Sequence, residues 1–163
     1  MKIGVISDTH IPINTFDLPA KVYDRFKDCD LIVHAGDIVE ESVIEKLNLM
    51  AETKVVQGNM DSSEIKNRYS KKLTFKAAGK KIGVIHGSGH PLKVLDNVAT
   101  EFSPKPDIII FGHSHEPVNK VIDGVLFFNP GSATDRVCTK GCSFGMIEID
   151  GDDIHAEIIS CAD

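Results

Sequence analysis

Asp107-Ile108-Ile109-Ile110-Phe111-Gly112-His113-Ser114-His115 runs a wholly apolar strand straight into two histidines. Successive side chains of a strand point to opposite faces, so a strand over 107–111 that is apolar at every residue after Asp107 is expected to be covered on both sides. Two histidines have little structural reason to stand at the end of such a strand. The layout recurs upstream. Residues 2–7 read as a strand followed by Asp8-Thr9-His10, residues 31–34 precede Ala35-Gly36-Asp37, and residues 54–57 precede Gly58-Asn59-Met60-Asp61. Helices are predicted between these strands: over 19–27, from Ser42 with Val43, Ile44, Leu47 and Met50 on one face, and over 62–69. A repeated strand, loop and helix argues for neighbouring parallel strands with helices packed on them.

Beyond residue 70 the pattern changes. Segments 73–78 and 81–86 flank a tight turn at Ala78-Gly79-Lys80 and end at His86-Gly87; a helix is predicted over 91–102, stopped by Ser103-Pro104-Lys105-Pro106. Segments 119–122 and 125–128 fold around Asp123-Gly124, and 143–149 and 153–159 around Asp150-Gly151. Helices thus crowd the first two-thirds and strands the last third. The expectation is an α+β sandwich of two packed mixed sheets with helices outside, one domain over 1–163.

With 163 residues and 42% hydrophobic content, the chain has material for one real core. A net charge of −6 makes an extended nucleic-acid surface or adhesion to anionic lipid a poor expectation, and a phosphate-bearing substrate would need local positive charge. The first apolar run is short and cut by charge, and no stretch approaches the roughly 18 apolar residues of a membrane span. A cytoplasmic location is expected. Cys29, Cys138, Cys142 and Cys161 are then reduced thiols, with Cys138 and Cys142 spaced so that they could clip a metal.

In an open α/β sheet, ligands bind outside the carboxyl ends of the strands, so the five polar motifs can converge on one rim. Carboxylates and imidazoles gathered at a partly buried rim are costly unless something pairs with them, and a metal ion is a natural partner. Extended backbone at Asp8 to His10 and at His113 to His115 would point both members of each pair to one side. Taken singly, Asp-x-His and Gly-Asp are ordinary loop sequences. In this order they are much more specific.

The five motifs together resemble the calcineurin-like metallophosphoesterases, in particular their small single-domain bacterial and archaeal phosphodiesterase branch. The resemblance covers at least residues 1–132 and implies a four-layer αββα sandwich holding two divalent transition-metal ions. Carried over by motif, Asp8, His10 and His115 would bind one metal, Asn59, His86 and His113 the other, and Asp37 would bridge them. Asp37, Asn59 and His113 are the residues closest to catalysis in this reading. The mixed nitrogen and oxygen donors suit manganese, the first choice, or nickel, iron, cobalt or zinc. Two ions roughly 3.5 to 4 Å apart can clamp attacking and leaving oxygens, with a bridging hydroxide as nucleophile. Against two carboxylates and that hydroxide, the pair keeps about one positive charge, supplying what the composition lacks.

Many members of the wider family carry a histidine at the position of Met60 to assist the departing oxygen. A thioether cannot donate a proton, so the expected substrate is a small phosphodiester or nucleotide-like ester with a good leaving group. Asp61 is expected to fix the loop, and Ser88 and His90 are candidates to reach the substrate. His34 reads as a packed residue near the site, His155 as unrelated to it, and Asn129-Pro130-Gly131-Ser132 resembles a tetrapeptide of the same branch. The same fold serves in the retromer subunit as a non-catalytic protein-interaction scaffold, the competing reading here. Oligomeric state is left open, a homo-oligomer included.

Overall fold

The structure is a computed structural model that describes residues 1–135 and 141–162. Its first half runs β1 (Lys2–Ile6), α1 (Ala20–Phe26), β2 (Leu31–His34), α2 (Glu41–Asn48), β3 (Thr53–Val55) and α3 (Ser63–Arg68). There follow β4 (Lys72–Ala77), β5 (Lys80–Ile85), a 3₁₀ turn (Pro91–Lys93), α4 (Val94–Ala99), β6 (Ile108–Ile110), β7 (Val118–Ile122), β8 (Val125–Asn129), β9 (Ser143–Asp150) and β10 (Asp153–Ser160). One five-stranded sheet has the order β10-β9-β1-β2-β3 and the other β4-β5-β6-β8-β7. Strands β1, β2 and β3 are parallel, as are β5, β6 and β8, while β4, β7, β9 and β10 join antiparallel. Both sheets are therefore mixed, as expected.

Alternation along the strands builds the layers. Ile3, Val5, Leu31 and Val33 of one sheet share a core with Ile82, Val84, Ile108, Ile110 and Phe128 of the other. From the opposite faces, Ile6 and Ile32 pack with Val22, Phe26, Val43, Ile44 and Leu47 of the helices, and Ile109 with Val94, Val98 and Phe102. Four layers, αββα, follow. Each isoleucine fully removed from water contributes about 1.5 to 3 kcal/mol, which explains why β6 carries three in succession.

Two hairpins turn through paired positive φ angles, Ala78 (47°) with Gly79 (80°) and Asp123 (50°) with Gly124 (78°), the twist that matches paired strands. Of the boundaries that differ from the sequence reading, three stand out. The helix predicted over 91–102 is a 3₁₀ turn followed by the shorter α4, where the Thr100 hydroxyl and backbone N–H both bond the Asn97 carbonyl and end the helix. The strand predicted over 54–57 stops at Val55, because the Gln57 N–H turns to the Ser70 carbonyl. The last turn is shifted to Gly151-Asp152, with Asp150 paired to Asp153. Cys138, half of the candidate Cys138 and Cys142 clip, lies outside the described residues.

Candidate metal centre

Every ligand-bearing motif follows a strand or short turn, and backbone bonds carry the sheet contacts past the strand ends. Asp8 N–H donates to the Gly36 carbonyl (3.0 Å), His10 N–H to the Asp37 carbonyl (3.1 Å), and Gly112 N–H to the His86 carbonyl (3.0 Å). The loops are thereby brought to one rim. The expected extended backbone is not what orients them: Asp8 (φ 52°), His10 (42°), His113 (69°) and His115 (57°) are left-handed, as is Asp37 (56°). Asp and His tolerate this region better than most side chains, and the reversal of chain direction turns each of them inward.

Two glycines make the close approach feasible. A Cβ on Gly58 would lie 2.1 Å from Asp37 Oδ1, and one on Gly112 would lie 2.0 Å from Ser7 Oγ and 2.6 Å from Asp8 Oδ2. A side chain at either position would push a carboxylate out of place.

Each carboxylate is anchored by one oxygen and aims the other inward. Asp8 Oδ2 accepts from the Ser7 hydroxyl (2.7 Å) and from His113 N–H (3.0 Å). Its Oδ1 has no hydrogen-bond partner although fully buried, and stands 3.3 Å from His115 Nε2, 3.8 Å from His86 Nε2 and 3.9 Å from His10 Nε2. Asp37 Oδ1 accepts from Met60 N–H (2.7 Å), leaving Oδ2 at 3.3 Å from His86 Nε2 and 3.7 Å from His10 Nε2.

The imidazoles are fixed in the same manner. His86 donates Nδ1–H to the Ala35 carbonyl (2.7 Å), and its buried Nε2 has no partner in hydrogen-bonding geometry. His115 donates Nδ1–H to Asp135 Oδ2 (2.6 Å), and its Nε2 faces His10 Nε2 at 3.3 Å. His113 donates Nε2–H to the Gly89 carbonyl (2.9 Å), which leaves Nδ1 as an acceptor 3.0 Å from Asn59 Oδ1, another acceptor. The facing acceptors of Asn59 and His113, and the two imidazole nitrogens of His10 and His115, lie at separations that fit cations bound at about 2.0 to 2.2 Å from each donor atom. Asp8, His10 and His115 form one group able to hold an ion, and Asp8, Asp37 and His86 a second. Asp8 belongs to both, and Asp37 Oδ2 also lies within reach of His10 and His86.

Electrostatics follow from this crowding. Burial alone would depress His86, but Asp8 and Asp37 outweigh it and carry the imidazole up to about 9. His115 also rises to about 9, chiefly through its contact with Asp8, with burial opposing and Asp135 adding. Burial pushes Asp8 and Asp37 up, yet the neighbouring imidazoles prevail and hold both below the usual carboxylate range. His10 is lowered, mainly by burial, and His34 falls to about 3 for the same reason. Protons on His86 and His115 thus balance the two carboxylates where metal ions would otherwise do so.

Other candidates separate clearly. Asp61 accepts from Ile38 N–H (2.5 Å) and Val39 N–H (2.8 Å) through Oδ1 and from Gly58 N–H (2.6 Å) through Oδ2, clamping the Asp37 loop to the Asn59 loop. Met60 is half exposed. Ser88 lines a cavity beside His86, whereas the exposed His90 accepts from Leu92 N–H with Nδ1 and caps the 3₁₀ turn. His34 is fully buried, takes the Gly36 N–H on Nδ1 and donates Nε2–H to Thr9 Oγ1 (3.0 Å), so it packs behind the site. His155 is exposed on β10.

The end of β8 and the segment after it join the tetrapeptide noted in the sequence, Asn129 to Ser132, to two residues that sequence reasoning missed, Thr134 and Asp135. Asn129 donates to the Gly112 carbonyl (2.9 Å) and Ser114 Oγ (3.1 Å), Ser132 Oγ–H to the Asp8 carbonyl (2.7 Å), and Thr134 Oγ1–H to the Thr9 carbonyl (2.7 Å). It straps two ligand loops together and presents buried Asp135 to His115. The one available signal was the Asn-Pro-Gly-Ser turn, three residues before Asp135.

Known proteins resemble this chain to different degrees. The chain is 36% identical over 162 residues to a probable metallophosphoesterase of Methanothermobacter thermautotrophicus, covering 98% of this chain and 92% of the relative. A phosphodiesterase of Methanocaldococcus jannaschii is 29% identical over 143 residues, 80% of this chain and 83% of that one. The crystal structure of Vps29 from Entamoeba histolytica complexed with Zn²⁺ superposes with a TM-score of 0.77 over 99% of each chain at 24% identity, a likeness of fold. The description "calcineurin-like phosphoesterase superfamily domain" matches residues 1–152. Since that span takes in both sheets as far as β9 and every loop of the site, the chain belongs to the calcineurin-like phosphoesterase superfamily.

Proposed function

We propose that the protein is a dinuclear-metal-dependent phosphodiesterase. The observation that carries this reading is the pair of buried inward-facing atoms without partners, Asp8 Oδ1 and His86 Nε2, 3.8 Å apart within a ring of further donors. Asp8, His10 and His115 would hold one ion, Asn59, His86 and His113 the second, and Asp37 would reach both. When bound, the ions supply a lowered water pKa and a clamp for the phosphate oxygens. The chain's own part is to hold its donors rigid: Ser7, Met60 N–H and Asp61 fix the carboxylates and their loops, and Ala35, Gly89 and Asp135 set the imidazole tautomers. A diester is favoured over a monoester because Met60 offers no proton to a poor leaving group, and the Methanocaldococcus relative bears the name phosphodiesterase.

The test is hydrolysis of an aryl phosphodiester by protein reconstituted with manganese, nickel, iron, cobalt or zinc. Asp37→Asn is expected to lose at least about a thousandfold in kcat together with bound metal; unchanged turnover defeats the assignment. Met60→His is expected to raise activity toward alkyl phosphomonoesters relative to the aryl diester, and an unaltered ratio would count against the leaving-group argument. A scaffold reading has one observation in its favour: Ile13, Phe16, Met60 and Leu92 are large, exposed and apolar within a few residues of three ligand motifs, and Vps29 shares the fold. It predicts no turnover with any metal.

A further inference from the structure

A cavity of about 600 Å³ opens beside Asn59 and His86 and extends between the start of β4, the end of β5 and α4. Three lysines line it, Lys66, Lys71 and Lys72, against a single acid, Glu101. In a chain with 24 acidic and 18 basic residues, that local ratio runs against the composition. Lys66 Nζ donates to the Asn59 carbonyl (2.8 Å), which pins one ammonium at the rim of the metal centre. Lys72 Nζ sits on the Glu101 carbonyl (2.6 Å), 3.4 Å from the Glu101 carboxylate and over the Phe102 ring. Lys71 is exposed and has no hydrogen bond or ion pair among the described residues. The lining also includes the apolar side chains of Ile85 and Val98.

Such a cavity, lined by three ammonium groups and reaching Asn59 and His86 of the centre, has room for an elongated anion as well as a compact one. Glu101 compensates one ammonium, which leaves an excess of two positive charges along the wall. We propose that the cavity is a second anion subsite: the ester cleaved at the centre bears a further phosphate-class group, separated from the scissile phosphate by a sugar-sized moiety and held by Lys66, Lys71 and Lys72. This rests on the phosphodiesterase reading above and names its substrate class, a nucleotide-like diester with a pendant phosphate.

Calorimetric titration of the metal-loaded protein with adenosine 3′,5′-bisphosphate and with adenosine 5′-monophosphate tests the subsite without catalysis. The bisphosphate is expected to bind about tenfold tighter, as two partly screened ion pairs would give, and the Lys71→Gln, Lys72→Gln double variant should bring the ratio close to one. In the unmodified protein the ratio should also shrink as salt rises from about 0.05 to about 0.5 M, a check independent of any variant's folding. Equal affinities, or a ratio that the double variant leaves unaltered, overturn the subsite. A preference that behaves as expected without turnover of an aryl diester keeps the subsite and removes the phosphodiesterase; turnover without preference does the reverse.

Discussion

Five of the seven candidate ligands, Asp8, His10, Asp37, His113 and His115, have positive φ, a conformation that costs of order 1 to 3 kcal/mol each unless the surroundings impose it. Here the surroundings do. Oδ2 of Asp8 is held by Ser7 and His113 N–H, and Asp135 holds His115. Asp135 is the most exacting case, because its 2.6 Å bond settles which imidazole nitrogen of His115 keeps the proton and which is free to bind metal. Asp135→Asn is therefore expected to weaken metal binding at the Asp8, His10 and His115 group about tenfold to a hundredfold while leaving the second group occupied. Calorimetric metal titration showing two sites of undiminished affinity would refute the role.

At the scale of elements, the site depends on loops locked to one another rather than on long helices, since α3 and α4 have only six residues each. Asp61 is the lock between the loops after β2 and β3, accepting three backbone N–H groups, including that of Val39 at φ 80°. Asp61→Ala leaves those donors without their acceptor and should lower unfolding free energy by about 3 kcal/mol, read from denaturant melts. A loss under about 1 kcal/mol would mean that water replaces the carboxylate easily. Gly112→Ala should be stable enough to purify yet bind metal poorly, because its Cβ displaces Ser7 and Asp8. These couplings also mark how far the sequence could be read. Strands β1, β2 and β6 were legible because apolar residues on both faces leave one interpretation, and the candidate ligands because they stand at strand ends. The left-handed turns and the Asp135 contact were not, since a φ angle and a bond across twenty residues exist only once the loops meet. The helix over 91–102 was read too long for a related reason: a threonine hydroxyl decides its end, and periodicity does not register it.

For the whole molecule, the buried cluster couples stability, protons and metal. His86 and His115 rise from 6.5 to about 9 on folding, so the folded chain binds more protons than the unfolded one in that interval. Their contribution is complete below pH 6.5 and is lost as pH climbs through about 9. His34 has the opposite sign: its fall to about 3 favours the folded state above pH 6.5 and is lost as pH drops below it. Metal-free protein should therefore melt at its highest temperature near pH 6.5 and progressively lower toward pH 9. Metal acts against this trend, because His86 and His115 must shed their protons to become ligands, so binding tightens as pH rises across the same interval. The gap between metal-loaded and metal-free melting temperatures is expected to widen from pH 6.5 to about 9, with roughly one proton released per ion at the low end. Thermal scans with and without a divalent ion, paired with titrations in buffers of different ionisation enthalpy, measure both quantities. Parallel melting curves with no proton release would mean that the imidazoles are already neutral, and that the two carboxylates are balanced by something other than His86 and His115.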